Sequence, residues 1–321
     1  MATLIIGAGL VGSQIARMLV EDGEHPVLFD RAPQRDALAE FVDPARATII
    51  EADVLQPWSV AQAIRAHDVT AIVHMAANPM LTIGAQKEPY GSIQLNIMGT
   101  ANVLEAARIM GVKRVVVASS NVLTHHIAGG EGRGDPANEE AYPRPISIYA
   151  SCKQMIENMG LNYARWFGVD FVGLRYGAVA GPWGGAGGGG PSNVFRAMVQ
   201  AAMKGEEALL PPAAMEWVYS KDAARGTVQA LRAAGGLKRR IFNMTMGCLN
   251  GPDELAAALR SVFPDARTRL AQADAGASPA LQPNTYASDL AAAKANLGYA
   301  PRYQMPEAVR DMAEWLKSKR R

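Results

Sequence analysis

The stretch Thr3-Leu4-Ile5-Ile6-Gly7-Ala8-Gly9-Leu10-Val11-Gly12 leaves this chain few folds to choose from. A short apolar run meets Gly-x-Gly-x-x-Gly and passes directly into the amphipathic run Ser13 to Glu21. That order is strand, tight turn, helix. Gly7 permits the turn, Gly9 lets a phosphate approach the backbone, and Gly12 lets the helix lie close to the strand. The N–H groups of Leu10, Val11 and Gly12, at the positive end of the helix, then face a pyrophosphate. Asp30 closes a second short strand, Pro26-Val27-Leu28-Phe29, where a ribose-reading carboxylate belongs. It would accept hydrogen bonds from the ribose hydroxyls and repel an added phosphate, which favours NAD over NADP. Arg31 beside it is the residue that could pair with such a phosphate. The plainer role for Asp30 is a turn residue closing its strand.

Further strands follow at intervals that fit a doubly wound α/β sheet. Ala47 to Glu51 is the third, and Asp53-Val54 after it could hold an adenine amino group and pack on its ring. The alternative for Asp53 is a helix N-cap. Ala71 to His74 is the fourth, running into Met75-Ala76-Ala77-Asn78, where small residues at a strand end let a ligand reach the backbone. His74 reads as a packed or hydrogen-bonded residue. Ser92 to Met110 has helical spacing, contains Asn96 and ends at Gly111, a good C-cap. Arg114 to Ala118 is apolar enough for a central parallel strand and ends in Ser119-Ser120-Asn121. Phe171 to Leu174 and Arg240 to Asn243 complete a set of seven. Strands alternating with helices imply a parallel sheet, with ligands beyond the strand C-termini. Gly181 to Pro191 reads as a flexible connection or lid. Ser192 to Lys204, Pro252 to Pro264 and Met305 to Lys319 are helical, and Asp265 to Pro283 is a loop over the site.

Tyr149 and Lys153 share one face of a helix that opens after Pro143-Arg144-Pro145. A nearby ammonium stabilises a phenolate, and a phenol so tuned can take a proton from an alcohol as hydride leaves its carbon. Ser120 and Ser119 are placed to hold the substrate oxygen, unless they only bond local backbone. Asn78, Ser119, Asn121 and Ala178 are the candidate substrate contacts. The adjacent His125-His126 pair lacks the Cys/His set of a metal site, so none is expected.

Composition removes other classes. Of 321 residues, 32 are Lys or Arg and 30 Asp or Glu, a net charge of +2 that offers no case for nucleic acid or an anionic membrane. Two cysteines, Cys152 and Cys248, form no disulfide framework and suit a reducing cytoplasm. A strand beginning almost at Met1 leaves no room for a signal peptide, and no apolar run spans a bilayer.

The chain resembles the extended short-chain dehydrogenase/reductase family of the NAD-dependent epimerase/dehydratase type. The matching pieces are Gly7-x-Gly9-x-x-Gly12, Asp30, Asp53-Val54, His74-Met75-Ala76-Ala77, Asn96-x-x-Gly99-Thr100 with Asn102 to Ala106, Ser119-Ser120, Tyr149-x-x-x-Lys153, Arg175 to Pro182, and Trp217 to Asp222. The resemblance implies Ser120 and Tyr149 as catalytic serine and acid/base, with Lys153 binding ribose and lowering the pKa of Tyr149. It implies a cofactor site that also takes in Ala76, Ala77 and Asn96, with Tyr176 to Val179 flanking a nicotinamide. It implies a Rossmann-type domain over 1–180, a return segment near 217–245, and a small substrate region from 181–216 and 246–321. The resemblance and the apolar Met155, Met159 and Leu161 also suggest a homodimer through the helices around 96–108 and 149–163. Ala178 stands where nucleotide-sugar epimerases carry Asn, and Thr124-His125 where they often carry Tyr-Gly. No Thr-Asp-Glu of the dehydratases is present, while Ala118 to Asn121 is similar to uronate dehydrogenases. The expected function is NAD-dependent oxidation of a secondary alcohol or the reverse reduction. The alternatives are sugar epimerisation and a non-catalytic dinucleotide sensor.

Overall fold

The computed structural model describes residues 2–77, 88–125, 145, 147–272 and 286–319. Its frame is a seven-stranded parallel sheet in the order β10-β6-β5-β4-β1-β2-β3. The strands are β1 (Ala2–Ile6), β2 (Val27–Asp30), β3 (Thr48–Glu51), β4 (Val69–His74), β5 (Arg114–Ser120), β6 (Asp170–Tyr176) and β10 (Ile241–Met244). Strands β4, β5 and β6 carry long β-branched and apolar runs because helices cover both faces. The winding reverses between β1 and β4, and Gly7 and Ala76 leave the sheet side by side at that point.

Helices α1 (Leu10–Glu21), α2 (Arg35–Ala39), α3 (Pro57–Ala66), α4 (Gly99–Met110), α5 (Ile148–Phe167) and α7 (Ser220–Arg232) flank this sheet. Gly111 ends α4 in the left-handed conformation, as its place in the sequence suggests. Ahead of α4 the chain does not form one continuous helix. Gln94–Met98 is a π turn, and the hydroxyl of Thr100 donates to the Asn96 carbonyl within it. Nothing in the hydrophobic spacing marks that widening.

Beyond the main sheet, β7 (Ala178–Ala180), β9 (Met215–Tyr219) and β11 (Leu249–Asn250) form a small sheet, and β8 (Ala208–Leu210) pairs in parallel with β12 (Thr268–Leu270). The strand β12 replaces part of the loop expected from Asp265. A second core forms here between α6 (Gly189–Lys204), α8 (Pro252–Val262) and α9 (Met305–Ser318). Strand β9 alternates between the cores: Trp217 and Tyr219 enter the second, Val218 the first. The boundary expected at 246 is not clean, because Ala293, Leu297 and Tyr299 pack into the core of the main sheet.

The Gly-rich segment is not loose. Trp183 is buried, its indole N–H donates to the Ala186 carbonyl at 3.0 Å, and its ring stacks on Phe41 with centroids 6.3 Å apart. Composition suggested mobility, but one aromatic anchor fixes the glycines on either side of it.

The tightest backbone approach lies at the start. A β-carbon on Gly12 would meet the Gly7 carbonyl oxygen at 2.0 Å, and one on Gly7 would meet the Ala76 nitrogen at 2.6 Å. Gly12→Ala therefore has to push α1 off β1. We expect a loss of roughly 1–3 kcal/mol or more in unfolding free energy, read by urea denaturation, whereas Gly235→Ala, with open space around it and no left-handed backbone, should lose less.

Candidate active site

The C-terminal edge of the parallel sheet collects most of the residues singled out in the sequence. Gly9 is the N-cap of α1, and no side chain caps that helix end. A β-carbon on Gly9 would touch nothing within 4 Å, so the N–H groups of Leu10, Val11 and Gly12 open onto space. The Asp30 carboxylate sits beside this turn, accepting from the Ala8 N–H at 2.8 Å and the Ala32 N–H at 2.9 Å. Arg31 is exposed next to it. Asp53 accepts from the Leu55 N–H at 2.9 Å and shapes its own turn, while Val54 is buried against Gly99. Ala76 and Ala77 are half-buried at the end of β4, with the Ala76 N–H on the Ile6 carbonyl. Asn78 lies outside the described residues, as does His126 of the histidine pair.

Helix α5 begins at a Ser147 cap, whose hydroxyl accepts from the Ala150 N–H at 3.1 Å. Its buried stripe Tyr149, Lys153, Ile156, Glu157, Gly160 lies on β5 and β6. The Ser120 hydroxyl lies beside the Tyr149 phenol, where it favours the phenolate. The Lys153 ammonium donates to the Ala118 carbonyl at 2.7 Å and lies 5.5 Å from the centre of the Tyr149 ring. Burial lowers the Lys153 pKa to about 8, with Glu157 and Cys152 acting the other way. Burial pushes the Tyr149 phenol up, and Ser120 only partly offsets it. The lowering expected for Tyr149 is therefore absent in the chain by itself, because its ammonium neighbour sits over the ring and is engaged by a carbonyl.

Two expectations need correction. Ser119 does not point at a substrate position; its hydroxyl donates to Glu157 Oε1 at 2.5 Å, and Arg175 holds the same carboxylate through two bonds of 2.8 and 2.7 Å. The Tyr176 phenol turns into the core, bonded to Thr227 on α7 and touching Met75, so that residue offers only backbone to the cleft. Its carbonyl accepts from the Asn121 N–H at 3.0 Å. Ala178 and Val179, half-buried in β7, are held by β9 beyond that point.

His74 and Asn96 stand in motifs the sequence already offered, whereas Glu216 carried no sequence signal. His74 is buried and lies 3.1 Å from the Thr100 hydroxyl, whose own proton goes to Asn96, so His74 Nε2 is the donor. Burial, then the Lys153 charge, lower its pKa to about 3, so it is neutral at physiological pH. The Asn96 side-chain amide donates to the Ser92 carbonyl, and its buried oxygen has no partner among the described residues. The buried Glu216 carboxylate accepts from Asn121 at 3.4 Å, Thr245 at 2.7 Å and Ser288 at 2.6 and 2.9 Å. Only tertiary packing brings these distant positions together.

The NAD dependent epimerase/dehydratase family matches residues 3–245. This chain belongs to that family. It is an enzyme of the extended short-chain dehydrogenase/reductase type, and NAD is its cofactor. The residues present fit that group: the uncapped helix end, the open side of Gly9 and the carboxylate of Asp30 make a cradle for a dinucleotide. The chain is 29% identical to a UDP-glucose 4-epimerase of Corynebacterium glutamicum, over 75% of this chain and 74% of that one. It superposes on the UDP-glucose 4-epimerase of Thermotoga maritima with a TM-score of 0.82 at 22% identity, covering both chains fully. It superposes on a GalE-like L-threonine dehydrogenase of Cupriavidus necator with a TM-score of 0.83 at 26% identity, covering 98% of this chain and all of that one. No described helix is long and apolar enough to cross a membrane.

The lowered Lys153 pKa has a consequence for stability. Between about 8 and its ordinary value of 10.5, the unfolded chain binds a proton that the folded chain does not. Stability contributed by this residue therefore rises with pH across that window and is lost as pH falls through about 8. We expect the unfolding free energy of the wild type to gain on that of Lys153→Met between pH 8 and 10.5, measured by urea denaturation of both proteins across the range.

Proposed function

We propose that this enzyme is an NAD-dependent dehydrogenase that interconverts a secondary alcohol and a ketone on a small or sugar-like substrate lacking a nucleotide. The observation that carries the reading is the grouping of Ser120 beside Tyr149 and of the Lys153 ammonium over its ring, near the switch point between β1 and β4. In the oxidative direction Tyr149, as phenolate, takes the hydroxyl proton of the substrate. Ser120 donates to the substrate oxygen and holds it next to Tyr149. Lys153 supplies the positive charge that favours the phenolate over the phenol. NAD, when bound in the cradle of Gly9 and Asp30, would supply the acceptor for the hydride that leaves the carbinol carbon. Because burial holds Tyr149 protonated, oxidation should speed up with rising pH until the Lys153 charge is lost. In this assignment Asp30 reads the ribose, Asp53 and Val54 face the adenine, and the unpaired Asn96 oxygen is a further acceptor towards the cofactor. Asn121 and Ala178 border the substrate.

Two features support a substrate without a diphosphate handle. Ala178 places no polar side chain at its position, and Asn121 beside it is turned to the buried Glu216 carboxylate. The likeness to a threonine dehydrogenase agrees with it. The second reading is epimerisation of a nucleotide sugar, which the Corynebacterium relative supports. The anchored Gly-rich segment also favours it, since a product-releasing lid would have to move. A dehydrogenase accumulates NADH and an epimerase returns the hydride, so a screen of alcohols, sugar acids and UDP-sugars separates them by absorbance at about 340 nm. NADH with a nucleotide-free alcohol is expected; epimer from a UDP-sugar without NADH would favour the alternative. Tyr149→Phe should lower turnover by about 100-fold or more while NAD affinity, by titration, stays within about twofold. Full activity in that variant would defeat both readings.

We further propose a two-fold dimer through α4 and α5. The exposed apolar side chains Ile109, Met155, Leu161, Trp166 and Phe167 on these helices, with Met98 just ahead of α4, support it, whereas Met159 packs inward. Sedimentation at micromolar concentration should give a dimer mass; a monomer would refute the pairing.

A further inference from the structure

The Gly-rich segment touches the loop that follows Asp30, and does so through a single side chain. Gln34 donates from Nε2 to the Ala186 carbonyl at 3.1 Å and accepts the Ala186 N–H on Oε1 at 2.6 Å. This reciprocal pair imitates a bridge between two strands, across 152 positions of chain. It is built in from several sides. Trp183 anchors the segment by its stack on Phe41 and its bond to the same Ala186 carbonyl, and Arg196 donates to the Trp183 carbonyl at 3.2 Å. A β-carbon on Gly185 would meet Gln34 Oε1 at 2.5 Å, and Gly187 has a φ of +84°, so these glycines are what let the backbone approach. Two residues before Gln34, the Ala32 N–H holds one oxygen of the Asp30 carboxylate, while Ala8 holds the other.

We propose that Gln34, clasped by Ala186, is a positioning residue that fixes the loop after β2 and thereby holds Asp30 in its ribose-reading orientation, making the Gly-rich segment a determinant of NAD over NADP. The proposal rests on Asp30 reading the ribose. An NADP 2′-phosphate has to be accommodated beside Asp30, where the backbone of residues 31–34 runs. With Gln34 tied at its far end, that backbone cannot withdraw and the carboxylate cannot turn aside. Arg31, exposed in the same loop, is kept from swinging in to pair with the phosphate.

The test measures NAD and NADP dissociation constants, by titration of the cofactor-free full chain, for wild type, Gln34→Ala, Trp183→Leu and Asp30→Ala. Gln34 is exposed, so its variant is expected to fold, and circular dichroism with thermal unfolding checks both it and Trp183→Leu. In Gln34→Ala the NAD/NADP preference should fall by about five- to tenfold, the scale of about one lost hydrogen bond, with kcat for the preferred substrate little changed. Trp183→Leu, which loosens the segment from the side away from the cofactor, should move the preference the same way. Equal weakening of both cofactors, an unchanged preference in Gln34→Ala, or a shift there with none in folded Trp183→Leu would each overturn the proposal. Asp30→Ala separates the two levels. If it leaves the preference unchanged, the ribose-reading assignment falls with the proposal; if it narrows the preference while Gln34→Ala does not, only the clasp is refuted.

Discussion

The cleft depends on how closely three pieces of backbone can approach one another. Gly12 lies on the Gly7 carbonyl, and Gly7 lies on the Ala76 amide. Because no side chain separates them, α1 starts directly above the gap between β1 and β4, where the sheet changes its winding direction. Its first N–H groups then point into the gap instead of being covered. Every later element of the site is measured from there: Asp30 bonds back to Ala8 in the turn, and β5 delivers Ser120 to the same edge two strands away. A charge cradle thus arises from missing atoms more than from added ones.

A second ordering principle is the buried stripe of α5. Tyr149, Lys153 and Glu157 follow at intervals of four along one face. The last is fastened by Ser119 and by a buried ion pair with Arg175, whose Nη1 has no partner among the described residues. Such a pair adds little net stability when replaced as a unit but costs several kcal/mol when half of it is lost. Its effect here is to set the helix's register against β5 and β6, and so the height at which Tyr149 stands above Ser120. Burial then holds the phenol protonated and brings the ammonium down to a pKa of about 8, leaving both sensitive to whatever charge enters the cleft.

Much of this was legible in the chain. The seven strands, the turn glycines, Asp30 beside the turn and the shared face of Tyr149 and Lys153 follow from patterns with short range: periods of two and four, and glycines at fixed offsets. What was not legible depends on which way one side chain turns. Ser119 and Ser120 are neighbours with equal claims, and only the presence of Glu157 on a helix 38 positions away decides that Ser119 faces it. Tyr176 reads as a cleft residue until Thr227 supplies a partner beneath the sheet. The π turn at Asn96 leaves no trace in hydrophobic spacing, and the Gly-rich segment, flexible by composition, is held by Trp183 and Phe41, which lie far apart in sequence. The roles of the site residues rest on the family pattern and on chemistry, and the substrate is written in side chains that share no common code.

Strand β9 places successive residues in different interiors, Val218 under the main sheet and Trp217 with Tyr219 in the smaller one. The two interiors consequently share a wall, as two rooms share a partition. A recombinant chimera that exchanged the smaller region alone would have to cut through that wall, and the donor strand would bring a Val218 equivalent shaped for another sheet. A change of specificity that spares both interiors therefore has to be made in the loops hanging from the partition, with the partition carried over whole.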